Sequence, residues 1–162
     1  MGKIFRLVYG ARKEALVEMT RLEEIQSMLM HAGIKADLSD DINRDTFVKW
    51  AFISAMACTG AYHDVTMGAL QHEGEERNTF IGLSKESAQI AEKCGIIFKE
   101  DPIKYNLMVI DKLDPESTAS MQKDIARGHE SEIQGLLFDM IELGEKYNID
   151  MPTYRKVVKK FI

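Results

Sequence analysis

Three segments of this chain end in the same short pattern, in which glycine or asparagine is followed by isoleucine. The pattern occurs at Ala32-Gly33-Ile34, at Cys94-Gly95-Ile96 and at Tyr147-Asn148-Ile149. Glycine and asparagine readily adopt the left-handed conformation that closes a helix, and the next apolar residue then folds back on the last turn. The three patterns therefore predict helices that end near residues 32, 94 and 147.

Apolar residues recur at helical spacing ahead of each of these stops, over residues 12–32, 75–94 and 130–147. The face of the first helix is predicted to consist of Ala15, Met19, Leu22, Ile25 and Leu29. Two more helices are predicted over 44–61 and 152–161, and a further one begins within 117–127. The helix over 44–61 is apolar nearly all round from Trp50 to Cys58, which is typical of a helix buried on most sides.

Extended structure is predicted only near the N-terminus. Residues 3–9 are β-branched and aromatic enough for a strand, and 34–38 is the other candidate. Two short strands make a poor free-standing sheet, so the opening strand is expected to need a partner from outside this chain. The predicted fold class is mainly α with a short N-terminal β-strand, in a single domain of residues 1–162.

Composition excludes several classes of protein. The net charge is −5, with 26 acidic and 21 basic residues and no basic stripe, so nucleic acid is not an expected partner. No stretch approaches the roughly 20 apolar residues that span a bilayer, and the first residues lack the apolar core of a signal peptide. Cys58 and Cys94 are expected to be buried free thiols, which fits a cytoplasmic location.

Motifs that hold a nucleotide or a metal are missing from the sequence. It contains no Gly-x-Gly-x-x-Gly and no Walker-type loop. Its four histidines show no ligand spacing, so we expect no zinc site. The chain is therefore expected to bind no cofactor and no metal by itself.

Lys49 is the first candidate for chemistry, because it opens the most apolar helix of the chain. A lysine pressed against such a helix is partly desolvated, which lowers its pKa and suits it to proton transfer. The alternative is a lysine that extends from the helix end into water.

A second candidate is the polar run from Ser117 to Glu132, which precedes an amphipathic helix. Glu132 falls near the start of that helix, where a carboxylate is electrostatically favoured. It also adjoins the inward-facing Ile133, so it is expected to point into a cleft. The alternative is an ordinary solvated acidic turn.

This run resembles the signature of the ketopantoate reductases (2-dehydropantoate 2-reductases). The resemblance consists of Ser120-Met121, Asp124 and the Ser131-Glu132-Ile133 triplet, together with an upstream Phe47-Val48-Lys49 that matches a Trp-x-Lys. It implies the multi-helix C-terminal domain of the 6-phosphogluconate dehydrogenase-like type. The resemblance covers this half of the family enzyme only, so the N-terminal Rossmann domain, which binds NADPH in the family, is expected to be absent from this chain.

The resemblance also implies roles for individual residues. Lys49 becomes the catalytic lysine, which protonates the ketone oxygen as NADPH delivers a hydride in an oxidoreductase of pantothenate biosynthesis. Glu132 accepts a hydrogen bond from a substrate hydroxyl, and Ser120 and Ser117 contribute to binding the 2-oxo acid. Asp124 is expected to be structural. The isolated chain is expected to be inactive.

Several positions depart from the family pattern, in which they are asparagines. They are Ile53, Ala57, Met67 and Ser117. Losing amides removes hydrogen bonds that orient a small polar acid, which predicts weak discrimination for ketopantoate and a related 2-oxo acid as substrate.

A different class of function is the alternative: a standalone helical module that dimerises or binds a small acid without catalysis. The ten methionines then serve either the core or a partner surface. Under either hypothesis, an apolar patch where the Rossmann domain docks predicts a homodimer.

Overall fold

The computed structural model describes residues 6–12 and 14–162. They fall into two compact units, of which the first ends at Phe47 and the second runs from Val48 to Ile162. The order of elements is β1 (Arg6–Tyr9), α1 (Met19–His31), β2 (Lys35–Leu38), α2 (Ile42–His63), α3 (Met67–Gln71), α4 (Glu75–Lys93), α5 (Pro102–Ile110), α6 (Ser120–Ala126), a π-helical turn (Gln134–Phe138), α7 (Asp139–Lys146) and α8 (Pro152–Val158). The mainly α fold class is confirmed. Among the described residues, no helix has both the length and the apolar content to cross a membrane.

The first unit is built around a parallel strand pair. β1 pairs with β2, and Leu7 lies opposite Ala36. The expectation that the opening strand lacks a partner in this chain is wrong, because α1 provides the long crossover that parallel strands require. The Tyr9 hydroxyl donates to the Leu22 carbonyl at 2.6 Å, and Gln26 Nε2 donates to the Ala36 carbonyl at 2.9 Å, so α1 is tied to both strands.

α1 begins at Met19, seven residues later than the apolar pattern predicts. Residues 16–18 belong to no helix, and the Val17 amide donates to the Ala15 carbonyl at 2.9 Å. Ala15 therefore lies outside the helix. None of the α1 residues is buried, and Met19 is 59% exposed. The predicted apolar face is thus only partly covered.

The three predicted helix stops are confirmed. Gly33, Gly95 and Asn148 have φ angles of 78°, 72° and 54°. In each case the next residue is the isoleucine, and its amide donates at 2.9 Å to a carbonyl five residues earlier, on Leu29, Ala91 or Gly144. These bonds are the left-handed closure that the local sequence predicts.

In the second unit, α4 contacts α3, α5, α7 and α8. The largest fully buried side chains of this unit belong to Phe80, Leu83, Ile90, Ile110, Met121, Leu137, Met140, Tyr154 and Val157, with Met67, Leu70 and Met151. Both carboxylate oxygens of the buried Glu86 accept amide bonds at the start of α8, from Thr153 at 2.7 Å and Tyr154 at 3.0 Å. A buried charge is thus satisfied by a helix terminus.

Three parts of this unit differ from the predictions. The helix expected over 130–147 is a π-helical turn followed by α7, and α3 and α5 were not predicted at all. Pro102 is the first residue of α5, and Asp101 precedes it as the N-cap. The Asp101 carboxylate accepts hydrogen bonds from the amides of Ile103 and Lys104.

The two cysteines differ in burial. Cys58 is buried as expected, but Cys94 is exposed, because it lies at the end of α4 rather than on its inner face.

Candidate functional site

Lys49 lies in the first half of α2, and its side chain is exposed. Its ammonium group forms no hydrogen bond or ion pair with any residue that the structure describes. The aromatic residue that follows it, Trp50, is half-buried. The helix therefore presents Lys49 to solvent at the edge of a packed surface.

Ser120 and Glu132 lie twelve residues apart in the chain and are joined by a hydrogen bond. The Ser120 hydroxyl donates to Oε2 of Glu132 at 3.2 Å, and both residues are exposed. Ser120 is the first residue of α6, whereas Glu132 lies two residues before the π-helical turn. The fold thus brings together two of the residues that the sequence singled out.

The π-helical turn is anchored on α2 by side-chain donors. Trp50 Nε1 donates to the Gly135 carbonyl at 2.9 Å, the Ser54 hydroxyl donates to the Leu136 carbonyl at 2.5 Å, and Cys58 Sγ donates to the same carbonyl at 3.6 Å. Spaced four residues apart, the three donors form one stripe along α2. Short π-helical insertions occur often at functional sites.

Burial keeps two groups protonated here, the thiol of Cys58 on this stripe and the hydroxyl of Tyr154, which lies on α8 beside Ser54. It raises the pKa of the Cys58 thiol to about 12, and it raises the pKa of the Tyr154 hydroxyl well above its ordinary value. Neither group loses its proton near neutral pH, so both act as structural donors here rather than as nucleophiles.

α6 packs on a different part of α2, at Gly60. A Cβ atom at Gly60 would lie only 2.4 Å from Oε1 of Gln122. The same oxygen accepts the Ala119 amide at 3.1 Å, and Nε2 of Gln122 donates to the Val65 carbonyl at 2.9 Å. Gly60 therefore allows the start of α6, and with it Ser120, to approach α2 closely.

The position of Lys49 relative to these contacts follows from helix geometry. Lys49 and Gly60 are eleven residues apart, so they lie within about 20° of each other around the axis of α2 and about 16 Å apart along it. Lys49 thus lies on the side of α2 that faces α6, and it adjoins Trp50, which contacts the π-helical turn. No hydrogen bond or ion pair joins it to Ser120 or Glu132.

Ser117 has a different environment from Ser120. Its hydroxyl donates to the Asp114 carbonyl at 2.5 Å, and its own carbonyl accepts the Met67 amide at 2.9 Å, at the start of α3. The bonds of Ser117 are therefore made within the turn that precedes α6.

The three apolar residues that depart from the family pattern differ in exposure. Ala57 and Met67 are each 1% exposed, whereas Ile53 is half-buried one helical turn after Lys49. Of these, only Ile53 is accessible beside Lys49.

Sequence reasoning missed the residues that hold the site together, namely Trp50, Ser54, Gly60 and Gln122. Ser54 and Gly60 interrupt an apolar helix, and this is a usable signal, because polar and small residues in such a place mark bonded or closely packed positions. No comparable signal marks Gln122.

Comparison with known proteins relates this chain to one family. A family model described as "Ketopantoate reductase PanE/ApbA C terminal" matches residues 41–161. The 2-dehydropantoate 2-reductase of Aquifex aeolicus (strain VF5) is 27% identical over 142 residues, which are 85% of this chain and 46% of that protein. The chain thus spans about half the length of this curated relative.

Solved structures share the fold at lower identity. A D-mandelate dehydrogenase in ternary complex with NADH and anilino(oxo)acetate superposes with a TM-score of 0.79 at 18% identity, covering 94% of this chain and 64% of that one. A dimeric ketopantoate reductase from Staphylococcus aureus superposes with a TM-score of 0.77 at 16% identity, covering 94% of this chain and 52% of that one.

Proposed function

We propose that this chain, which belongs to the ketopantoate reductase family through its C-terminal domain, forms the substrate half of an NADPH-dependent 2-oxo acid reductase. The hydrogen bond between Ser120 and Glu132 carries the proposal. It joins two polar side chains from separate elements, α6 and the segment before the π-helical turn, and both elements pack on α2, the helix that bears Lys49.

Lys49 is the proposed proton donor. Its exposed ammonium group is not committed to any described partner, so it is available to approach a ketone oxygen. A cation there stabilises the negative charge that develops on that oxygen as the carbonyl carbon is reduced, and it then supplies the proton that completes the hydroxyl group. NADPH, when bound by the complete enzyme, supplies the hydride.

Ser120 and Glu132 are the proposed substrate-binding pair. An ionised Glu132 repels the carboxylate of a 2-oxo acid. The substrate carboxylate therefore has to lie nearer to Ser120 or Lys49 than to Glu132. A substrate hydroxyl is suited to Glu132, because a carboxylate only accepts hydrogen bonds. Binding then replaces the Ser120–Glu132 bond, which frees the Ser120 proton for the substrate.

Ser117 takes a supporting role in this proposal. Its hydroxyl hydrogen bond to Asp114 and its carbonyl bond to Met67 shape the turn that leads into α6. Ile53, beside Lys49 and half-buried, favours a 2-oxo acid with an apolar side group over one that needs amide contacts. Membership of the family favours ketopantoate itself as the substrate, which would place the complete enzyme in pantothenate biosynthesis.

The described residues do not fit a dinucleotide. β1 is followed by Gly10 alone, and α1 is preceded by Glu18, whose carboxylate would repel a pyrophosphate at the helix start. We therefore assign the cofactor to the half of the relatives that this chain does not span. A Rossmann domain is the proposed partner, and the chain by itself is expected to be inactive.

Reconstitution tests this proposal. The chain is mixed with a separately produced cofactor-binding half of a family reductase, and NADPH oxidation is followed with a series of 2-oxo acids. We expect turnover only in the mixture. Lys49→Ala should reduce it by about 10²–10⁴-fold, whereas Lys104→Ala, at an exposed lysine on α5, should leave it unchanged. Turnover by the chain alone, or by Lys49→Ala at the normal rate, would contradict the proposal.

Substrate binding has a test that does not need reconstitution. Trp50 is the only tryptophan and directly follows Lys49, so its fluorescence reports on this part of α2. Titration with a 2-oxo acid should change that fluorescence in a saturable way. Glu132→Gln and Ser120→Ala should each alter the midpoint.

The second candidate is a non-catalytic module that dimerises or binds a small acid. The observation in its favour is the apolar exposure around α1, where Leu16, Met28 and Met30 are 106%, 67% and 55% exposed. Such a surface favours association, either with a Rossmann domain or with a second copy in a homodimer. Light scattering at several concentrations decides whether the chain forms that dimer.

A further inference from the structure

A second polar site lies in the second unit, at the far end of α2 from Lys49. It is an open depression of about 640 Å³, here called the basic depression, and it is lined by Tyr62, His63, Glu75, Lys156, Lys159 and Lys160. Its volume is within the range of about 300–1,000 Å³ found for small-molecule sites. Twelve residues separate Lys49 from Ala61 beside it, which is about 18 Å along the helix.

The charge of this depression is opposite to that of the whole chain. Three lysines and one glutamate line it, whereas the net charge of the chain is −5. The overall composition of the chain therefore does not account for three lysine side chains around one depression. A cleft in which one sign of charge is in excess raises the local concentration of small ions of the opposite sign, and here the lysines outnumber the glutamate.

Two of the three ammonium groups are already held in place. Lys160 Nζ donates to the carbonyls of Ala61 and Tyr62, at 2.9 and 2.8 Å, at the end of α2. Lys156 Nζ donates to Oε1 of Glu75 at 2.9 Å and lies 5.6 Å from the centre of the Tyr62 ring. Because these side chains are ordered before any ligand arrives, binding costs less side-chain entropy.

Hydrogen-bond donors remain after these contacts are made. An ammonium group has three N–H donors. Lys160 therefore retains one N–H donor and Lys156 retains two, and the ammonium group of Lys159 forms no hydrogen bond or ion pair with any described residue. His63 adds no donor while its ring is neutral: the Thr79 hydroxyl donates to the Glu75 carbonyl, so Nε2 of His63 is the donor to Thr79 at 3.0 Å and the other ring nitrogen carries a lone pair.

The chemistry of these donors selects the class of ligand. Lysine ammonium groups are compact point charges, and several of them around a hollow suit a multiply charged tetrahedral anion better than a planar carboxylate, which pairs best with arginine. A long polyanion is disfavoured, because the rest of the chain carries a net negative charge. We propose that the basic depression binds a small phosphate-bearing anion, of which pyrophosphate is the simplest example.

Titration of the 162-residue chain with pyrophosphate tests the proposal, by calorimetry and by amide NMR shifts at constant ionic strength. We expect saturable binding with shifts at Tyr62, His63 and Lys159. Lys159→Glu should weaken binding at least tenfold, and Lys156→Gln should weaken it severalfold. The matched control is Lys104→Glu, which makes the same charge change at an exposed lysine on α5 and should alter the affinity less than twofold.

Four results would overturn the proposal. The first is that pyrophosphate does not bind saturably, and the second is that Lys104→Glu weakens pyrophosphate binding as much as Lys159→Glu does. The third is that citrate binds as tightly as pyrophosphate. The fourth is that the chain binds anionic lipid vesicles but not pyrophosphate. The exposed side chain of Lys159 forms no hydrogen bond or ion pair with a described residue, so its substitution should leave the circular dichroism spectrum unchanged. The test does not depend on reductase activity.

Discussion

The hydroxyl oxygen of Ser54 lies 2.7 Å from the hydroxyl oxygen of Tyr154, joining α2 to α8 inside the core. The single proton of Ser54 is directed to the Leu136 carbonyl at 2.5 Å, so Tyr154 is the donor in the pair. Three elements that are distant in sequence are thus connected through one side chain. The π-helical turn after Glu132 owes part of its anchorage to this connection.

Ser54→Ala should therefore destabilise the second unit strongly. It leaves the Leu136 carbonyl with fewer partners and the buried Tyr154 hydroxyl without its acceptor, which costs about 1–3 kcal/mol. Urea denaturation followed by circular dichroism measures the loss. Ser27→Ala is the matched control, because Ser27 is exposed and its hydroxyl bonds only within α1, to the Glu23 carbonyl. Equal stability of the two variants would contradict the importance of the connection.

Two glycines near the π-helical turn should respond in opposite ways to alanine. A Cβ at Gly144 would lie 1.9 Å from Sδ and 3.0 Å from Cγ of Met151, which is itself buried, so Gly144→Ala should cost about 1–3 kcal/mol. At Gly135 the nearest atom, in Asp139, is 4.0 Å away. Gly135→Ala should be neutral or should gain up to about 1 kcal/mol of helix propensity. Thermal melting distinguishes the two outcomes, and a larger loss for Gly135→Ala would contradict this packing.

An ion pair between α4 and the end of α5 should make stability depend on pH. Arg77 donates to both carboxylate oxygens of Asp111, at 2.7 and 3.1 Å, and this hydrogen bonding lowers the pKa of Asp111 below its ordinary value of 3.8. A lowered pKa in the folded state stabilises the protein above the unfolded pKa, and this contribution is lost as pH falls through the folded pKa.

The effect should appear as a decline in the urea midpoint once the pH falls below the ordinary carboxyl pKa of 3.8, and Asp111→Asn should lack that part of the decline. The contribution is modest, because 43% of the Asp111 side chain is exposed and solvent screens the pair. Arg77→Met tests the cause, since the carboxylate without its guanidinium partner should no longer be shifted. If the urea midpoint of both Asp111→Asn and Arg77→Met declined at low pH as much as that of the unchanged chain, other carboxylates would be the cause.

The two cysteines should differ in reactivity. Burial raises the pKa of Cys58 to about 12, whereas Cys94 is exposed at the end of α4. A disulfide-based thiol reagent at mildly alkaline pH should therefore modify one thiol in the folded chain and both in denaturant. Cys94→Ser should remove the fast reaction and leave Cys58 unreactive until the chain unfolds. Rapid modification of folded Cys94→Ser would contradict the burial of Cys58.

The local features of this fold are readable from the sequence. The stops at Gly33, Gly95 and Asn148 depend on which residues tolerate a positive φ, and the apolar character of α2 depends on residues that are close in the chain. Such properties belong to short segments. This is why helix ends and the mainly α class are predictable, and why the run around Ser120 shows its family resemblance through its residues alone.

Other features exist only in the folded chain. Three examples are the bond between Ser120 and Glu132, the anchoring of Gly135 by Trp50, and the cluster of His63 with the lysines at positions 156, 159 and 160. They join segments that are 12 to 97 positions apart, as the residue numbers show. No local pattern encodes such contacts, because they depend on how α2 packs against its neighbours. The late start of α1 and the exposure of Cys94 have local causes instead, namely the bond between Val17 and Ala15 and the place of Cys94 at the end of α4. The partner of β1 is again a matter of tertiary structure, because its hydrogen bonds to β2 form only after α1 has carried the chain back beside it.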